Sequence, residues 1–373
     1  MVDPLPLAGL RVALVLGSSA GGIGRHVAHL AGGLAQRGAA VTVCGPRATE
    51  ARFAFTAAGA AYRPLEIPAG PHPADLAALA RLHRLLATAG IADVAHAHGL
   101  RAGALAGLAG RRGRPPLVVT WHNAALGGGA TRRVHGALER LVARRADVTL
   151  GASADLVERA VALGARDARL GPVTAPPLPA ARGAAADVRA RLAGPGRPLV
   201  VAIGRLHPQK RIDVLIDAAA RWGNGPGAPL AVVAGDGPLR AELQRRIDAT
   251  GAAVRLLGHR DDVAELLAAA DVVALPSEWE ARSLVAQEAL RAGRPLVTTA
   301  VGGLPGLVGD AAVLVPPGDP AALADAVVRV LTEPGLAARL AERGPRLAAG
   351  WPSEQEAVDA VVAAYVSALR GRR

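Results

Sequence analysis

The sequence predicts an α/β chain of two doubly wound domains, each a parallel sheet with helices on both faces, facing each other across a cleft. Three observations predict it. Short β-branched or Leu-rich runs alternate with longer Ala/Leu/Arg segments at helical spacing throughout the chain. Parallel strands need long crossovers, which such helices supply. Residues 171–186, with four prolines and two glycines, read as a linker near mid-chain. At 373 residues and 51% apolar content, the chain can fill two hydrophobic cores.

In the first half, strands are predicted at 11–16, 40–44, 94–98, 117–121 and 148–150. In the second they fall at 199–203, 230–234, 254–257, 272–275 and 295–298. The linker places the domains at 1–180 and 181–373. A final helix, 353–369, can pack on either domain. Ligands of such sheets bind at the carboxyl ends of the strands.

Composition excludes several classes. Aromatics make up 2% of the chain, too few for a surface that stacks nucleic-acid bases, so no nucleic-acid partner is expected. The single Cys44 excludes an intramolecular disulfide framework and a cysteine-based zinc cluster. No apolar run approaches the ~18 residues of a membrane span. The run 12–16 reads as a strand, not a signal peptide, so a cytoplasmic protein is expected. The net charge of +12 is uneven: residues 1–185 hold 21 Arg against 10 acids, and 186–373 hold 22 bases against 21 acids. The densest part, 111–145, has eight arginines and one acid, Glu139. It includes a helix over 131–147 with Val134, Leu138, Leu141 and Val142 on one face. Two readings of this face stand: solvation, or contact with an anionic acceptor or acidic membrane surface. Lys210 is the only lysine among 43 basic residues. In an Ala-, Gly- and Arg-rich chain its survival is either chance or a sign that arginine will not substitute.

After the first strand comes Gly17-Ser18-Ser19-Ala20-Gly21-Gly22-Ile23-Gly24, leading into a helix over 25–37. Glycines let backbone N–H groups approach a phosphate. The stretch nearly matches a short-chain dehydrogenase fingerprint with one residue too many. The chain also lacks the Tyr-x-x-x-Lys pair that those enzymes use, and no acid closes the second strand to hold a ribose.

The second half is more specific. Its first strand leads into Gly204-Arg205-Leu206-His207-Pro208-Gln209-Lys210-Arg211, where Arg205 and Lys210 can converge on a diphosphate across a strand-to-helix turn. Gly235-Asp236-Gly237-Pro238-Leu239 forms a similar turn. Glu280 and Glu288 stand with seven residues between them, one at a turn and one two helical turns on. Carboxylates so placed accept from vicinal sugar hydroxyls. Glu278 reads as a solvated surface acid.

In order and spacing, Gly-Arg-Leu-x-x-x-Lys, Gly-Asp-Gly-Pro-Leu, Pro276-Ser277-x-x-Glu280-x7-Glu288-Ala289 and Gly293-x-Pro295 resemble the donor half of family 4 glycosyltransferases. These are the glycogen-synthase-like retaining enzymes of the GT-B fold, with two Rossmann-like domains. Gly-Gly-Ile-Gly-Arg-His, His96-Ala97-His98-Gly99 and Thr120-Trp121-His122-Asn123 extend the resemblance to the first half. It implies a hexosyltransferase with a nucleoside-diphosphate sugar, UDP or GDP, as co-substrate and no separate cofactor. The donor would bind the second domain and a hydroxyl acceptor, anionic if the basic half serves it, the first. The products would be envelope glycolipids or polysaccharides, or small-molecule glycosides.

Carried over by position, Arg205 and Lys210 would bind the diphosphate, Glu280 the sugar hydroxyls and Glu288 the ribose. Gly22 would let the first loop close over the phosphates, and His122 would lie beside the sugar. His259 and Arg260 would line the nucleobase. Backbone amides of Arg282, Ser283 and Leu284 would meet phosphate or sugar. The basic half could touch the inner face of the membrane.

Two positions depart from the family pattern. Ala281-Arg282-Ser283 replaces a Gly-Phe-Gly-like stretch, and Gly306 stands where a glutamate is common. His96 and His98 share a strand face and could form a metal site with His122, but no acidic cluster or Asp-x-Asp accompanies them, so no metal is expected. Two alternatives use the same phosphate cradle: a non-catalytic nucleotide-sugar-binding protein and a nucleotide-sugar epimerase. The intact quartet of Arg205, Lys210, Glu280 and Glu288 favours transfer.

Overall fold

A computed structural model describes residues 7–371 except 20, 69, 71, 89–90, 111–113, 125–128, 180, 182–184, 195, 224 and 226, and only the backbone of 129–132. The chain forms two compact units. One runs to Thr174 and resumes at Pro352; the other is Ala175–Trp351.

The first unit is built on seven parallel strands: β1 (Arg11–Leu16), β2 (Ala40–Gly45), β3 (Ala61–Pro64), β4 (Val94–His98), β5 (Leu117–Trp121), β6 (Val148–Gly151) and β7 (Ala168–Leu170). Their order is β3-β2-β1-β4-β5-β6-β7. The second unit has six: β8 (Leu199–Ile203), β9 (Leu230–Ala234), β10 (Val254–Gly258), β11 (Val272–Leu275), β12 (Leu296–Thr299) and β13 (Val313–Val315), ordered β10-β9-β8-β11-β12-β13. Each order reverses direction beside its first strand, the switch point at which doubly wound folds bind ligands. Central strands such as β4, β5, β9 and β11 are buried throughout, as helices on both faces require.

Strands β3, β7 and β13 do not appear in the sequence reading. Each is three or four residues at or next to a sheet edge, largely half-buried or exposed, and so carries no continuous apolar run. The first helix, Gly22–Gln36, starts three residues earlier than expected. Ser19 Oγ accepts from Gly24 N at 3.1 Å and so holds the opening turn.

The units change at 174/175, ahead of 180/181, because Ala175 is fastened to the second unit. Its N–H donates to Gln287 Oε1 at 3.1 Å and its carbonyl accepts from Arg291. The last helix, Glu354–Arg370, belongs to the first unit. Its N-terminus is closed by a capping box between Ser353 and Glu356. Its buried face, with Val358, Val361, Val362 and Tyr365, joins Leu14, Leu30 and Val118 in one core.

On the basic helix, Gly129–Arg145, the expected face is kept in part: Val142 is buried and Leu138 and Leu141 are half-buried. Val134 is 49% exposed, while Glu139 is buried and gripped by Arg159 (Nε–Oε1 3.0 Å, Nη2–Oε2 2.6 Å). Arg133, Arg140, Arg144 and Arg145 are solvated. Arg111, Arg112 and the Arg132 side chain lie outside the described residues. Among the described residues, no helix is long and apolar enough to cross a membrane.

Candidate functional site

In the second unit the loops that follow β8, β9, β10 and β11 carry the predicted donor residues. The first two are packed backbone to backbone. A Cβ at Gly235 (φ +147°) would stand 1.9 Å from Gly204 O, so only glycine fits there. Leu206 N donates to Asp236 O at 3.0 Å, and Leu239 N to Leu206 O at 3.2 Å. Gly235 N also donates to Gly258 O at 2.7 Å, which brings the loop of His259 and Arg260 alongside.

After β8, a single tight turn, Pro208–Lys210, opens on His207 and ends at Arg211, whose left-handed φ of +47° redirects the chain into the helix Ile212–Trp222. Lys210 thereby reaches Glu280, its Nζ donating to Oε1. The same oxygen accepts from Ser277 Oγ at 2.8 Å. Glu280 is only 8% exposed, so its charge needs these partners. Gln209 joins the two loops: its carbonyl accepts from Glu278 N and its Nε2 donates to Trp279 O, both at 2.8 Å. Glu280 O in turn accepts from Gly303 N at 2.9 Å, and a Cβ at Gly302 would come within 2.2 Å of that oxygen. Glu278 has the exposed side chain expected of it.

Arg205 is exposed, with no ion pair among the described residues. Partial burial, then the positive charges of Arg205 and Lys210, pull the His207 pKa down. Both cations thus stand near the His207 ring. Ser283 caps the helix Leu284–Arg291, its Oγ accepting from Ala286 N at 3.4 Å, and Glu288 is buried on that helix.

Two predicted donor residues have their side chains committed elsewhere. The Arg282 guanidinium lies 5.8 Å from the Trp351 ring centre, with Arg291 at 5.6 Å from the same ring. Its Nε and Nη2 are sealed without hydrogen-bond partners among the described residues, and burial, reinforced by Arg291, lowers its pKa. Arg260 is paired with Asp262, Nε–Oδ1 2.7 Å, which holds that carboxyl below the usual range. His259 is exposed beside Asp261, 3.3 Å away.

In the first unit, Gly22 opens the first helix, and four histidines cluster: His26 on that helix, His96 and His98 on β4, and His122 just beyond β5. His98 Nδ1 lies 3.2 Å from His122 Nε2. His26, one helical turn after Gly22, is edge-on to both rings, with centres at 5.6 and 5.3 Å. His96 takes no part in that contact. Its Nδ1 meets the Tyr365 hydroxyl at 2.8 Å and its Nε2 meets Thr120 Oγ1 at 2.7 Å. Burial keeps all four neutral: His26 is pushed down to about 4, His96 to about 3, and His98 and His122 well below the usual value.

The trio with nitrogens within 4.8 Å of one another is therefore His26, His98 and His122, not the expected set containing His96. Such imidazoles could hold a borderline divalent cation such as zinc, though the group contains no carboxylate. The sequence reading did not single out His26, Tyr365, Ser277 or Gln209. His26 sits in the Gly-Gly-Ile-Gly-Arg-His run, Ser277 in the Pro-Ser-x-x-Glu motif and Gln209 in the turn before Lys210, whereas Tyr365 carries no signal without the tertiary fold.

Two family models match the chain: a glycosyl transferase 4-like domain over residues 21–175 and glycosyl transferases group 1 over residues 197–333. D-inositol 3-phosphate glycosyltransferase of Xylanimonas cellulosilytica is 33% identical, covering 95% of this chain and 93% of that one. Glycogen synthase of Mycobacterium tuberculosis is 32% identical over 95% and 92%. Among solved structures, Anabaena HepE in complex with UDP-glucose superposes with a TM-score of 0.79 at 22% identity, covering 95% of this chain and 99% of that one. The strand orders, the stitched loops and these matches together place the chain in family 4 of the glycosyltransferases, the glycogen-synthase-like group, as a glycosyltransferase of the GT-B fold.

Proposed function

We propose that the enzyme is a retaining, metal-independent hexosyltransferase that takes its sugar from UDP or GDP and passes it to a hydroxyl acceptor. The observation that carries this reading is the Lys210–Glu280 pair, held at the carboxyl ends of β8 and β11 by Ser277 and Gln209, with the exposed Arg205 nearby. Lys210, Arg205 and the backbone amides at Ser283 and Leu284 stabilise the negative charge that grows on the leaving diphosphate. Cations of the chain do this work in place of a metal. Glu280 accepts from the sugar hydroxyls, Glu288 holds the ribose, and His122 meets the sugar. The acceptor hydroxyl then attacks the oxocarbenium-like carbon from the face the diphosphate leaves.

The complex of HepE with UDP-glucose supports a uridine nucleotide. The name of the Xylanimonas relative points to a phosphorylated acceptor, which suits the net +11 of residues 1–185. The same charge suits peripheral contact with acidic lipid at the cytoplasmic face.

The test is thermal stabilisation by UDP, GDP and ADP, followed by turnover of the sugar nucleotides of the one that binds. One nucleotide raises the melting temperature of wild type, and Lys210→Ala removes most of that gain. Equal stabilisation of both proteins would overturn the diphosphate assignment. An anomerically inverted product would overturn the retaining mechanism.

A further inference from the structure

The contact between His98 and His122 joins two neutral rings, and a neutral imidazole carries one N–H, so one ring must donate and the other accept. The surroundings decide which. His98 Nε2 is sealed from solvent with no partner among the described residues. A proton there would be a buried, unsatisfied donor, whereas a proton on Nδ1 is used in the 3.2 Å contact and leaves only a lone pair unmatched. Orphaned buried N–H groups are the rarer and costlier case.

Among the described residues, neighbouring elements offer His98 no other partner. His96, whose ring centre is 4.2 Å from that of His98, has both nitrogens occupied by Tyr365 and Thr120. His26 lies edge-on, and no hydrogen bond joins it to either ring among the described residues. His122 Nε2 must then accept, which puts the His122 proton on Nδ1. That nitrogen has no partner among the described residues and is not one of the sealed atoms.

We propose that His98 is a positioning residue: by donating from Nδ1 it fixes His122 as the tautomer that offers an Nδ1–H to an oxygen of the transferred sugar. This rests on the reading that His122 meets the sugar. The direction of the His98–His122 hydrogen bond is a property of the free protein and stands or falls separately.

The test uses the full chain labelled with ¹⁵N-histidine, in long-range ¹H–¹⁵N spectra at pH 7.5. His122, assigned by its loss in His122→Ala, is expected to show a protonated Nδ1 and an unprotonated Nε2. Variants at position 98 then separate position from mere packing. Asparagine places an amide donor where Nδ1 stood; glutamine extends it toward Nε2; leucine has none. With UDP-glucose as donor probe, His98→Asn keeps turnover within about threefold. His98→Gln and His98→Leu lose about tenfold or more in kcat, the worth of one aligned hydrogen bond, with UDP affinity unchanged. Where His98→Leu unfolds, the Asn and Gln pair decides.

An Nε2–H His122 in wild type would overturn the proposal, as would equal turnover for the Asn, Gln and Leu variants. If the tautomer is as stated but His122→Ala turns over normally, the placement of His122 at the sugar is what fails.

Discussion

The Tyr365 hydroxyl lies 2.8 Å from His96 Nδ1 in a fully buried contact between residues 269 positions apart. The tyrosine comes from the last helix, the histidine from β4 at the centre of the first sheet. Thr120 Oγ1 meets the other nitrogen of the same ring, so the His96 imidazole is held at both ends. Tyr365→Phe keeps the ring in the core but strips one buried nitrogen of its partner. A loss of about 1–3 kcal/mol is expected, seen as a lower melting temperature in calorimetry, with UDP binding unchanged. A melting temperature equal to wild type would deny the contact its structural role.

Four buried neutral histidines make stability depend on acid. Folded, His26 titrates near 4 and His96 near 3, with His98 and His122 also well below the usual 6.5. Below pH 6.5 the unfolded chain takes up protons that the folded one refuses. Their contribution is therefore complete above 6.5 and is lost as pH falls toward 4 and 3. Each such histidine removes about 1.4 kcal/mol per pH unit across that window. Denaturant unfolding at pH 7.5, 6 and 5 should show a progressive loss that His26→Leu reduces. A flat profile would mean that the rings are not buried as described.

Lys210 has a structural as well as a proposed chemical role, and the two can be separated. Lys210→Ala leaves Glu280, 8% exposed, with Ser277 as its remaining partner, and should destabilise the second unit as well as weaken UDP binding about tenfold. Adding Glu280→Gln removes the uncompensated charge. The double variant should recover stability in urea but not affinity by calorimetric titration. Recovery of both would show that the lysine serves only the fold.

Arg282 stands where the family pattern has an aromatic residue, and two of its guanidinium nitrogens are sealed without hydrogen-bond partners among the described residues. Arg282→Phe exchanges an unsatisfied cation for a ring that can pack on Trp351. It should raise stability by about 1–3 kcal/mol in urea unfolding. A lower midpoint would show that the stack with Arg291 and Trp351 depends on the charge.

Much of this architecture can be read from the sequence, and the exceptions share a cause. Continuous apolar runs such as 199–203 and 230–234 announce strands buried on both faces, and Arg205, Lys210 and Glu280 announce themselves by order and spacing. The edge strands Ala61–Pro64, Ala168–Leu170 and Val313–Val315 bury too little to leave a pattern. Contacts across the fold leave none at all. Nothing local in Tyr365 names His96, and nothing in Arg282 says that its side chain turns to Trp351. The placement of His26 rather than His96 with His98 and His122 is decided by Tyr365 and Thr120, which occupy both nitrogens of His96.

The helix Glu354–Arg370 closes a core whose other walls are made long before it. On a ribosome the first seven strands emerge early, yet Val358, Val361 and Tyr365 arrive only after all of 175–351 has been synthesised. At about 5–20 residues per second that interval is on the order of ten seconds or more. For that time β5 and β6 lack their cover, and His96 lacks its hydroxyl partner. The unit translated first thus completes its core only after the whole of the other has been made.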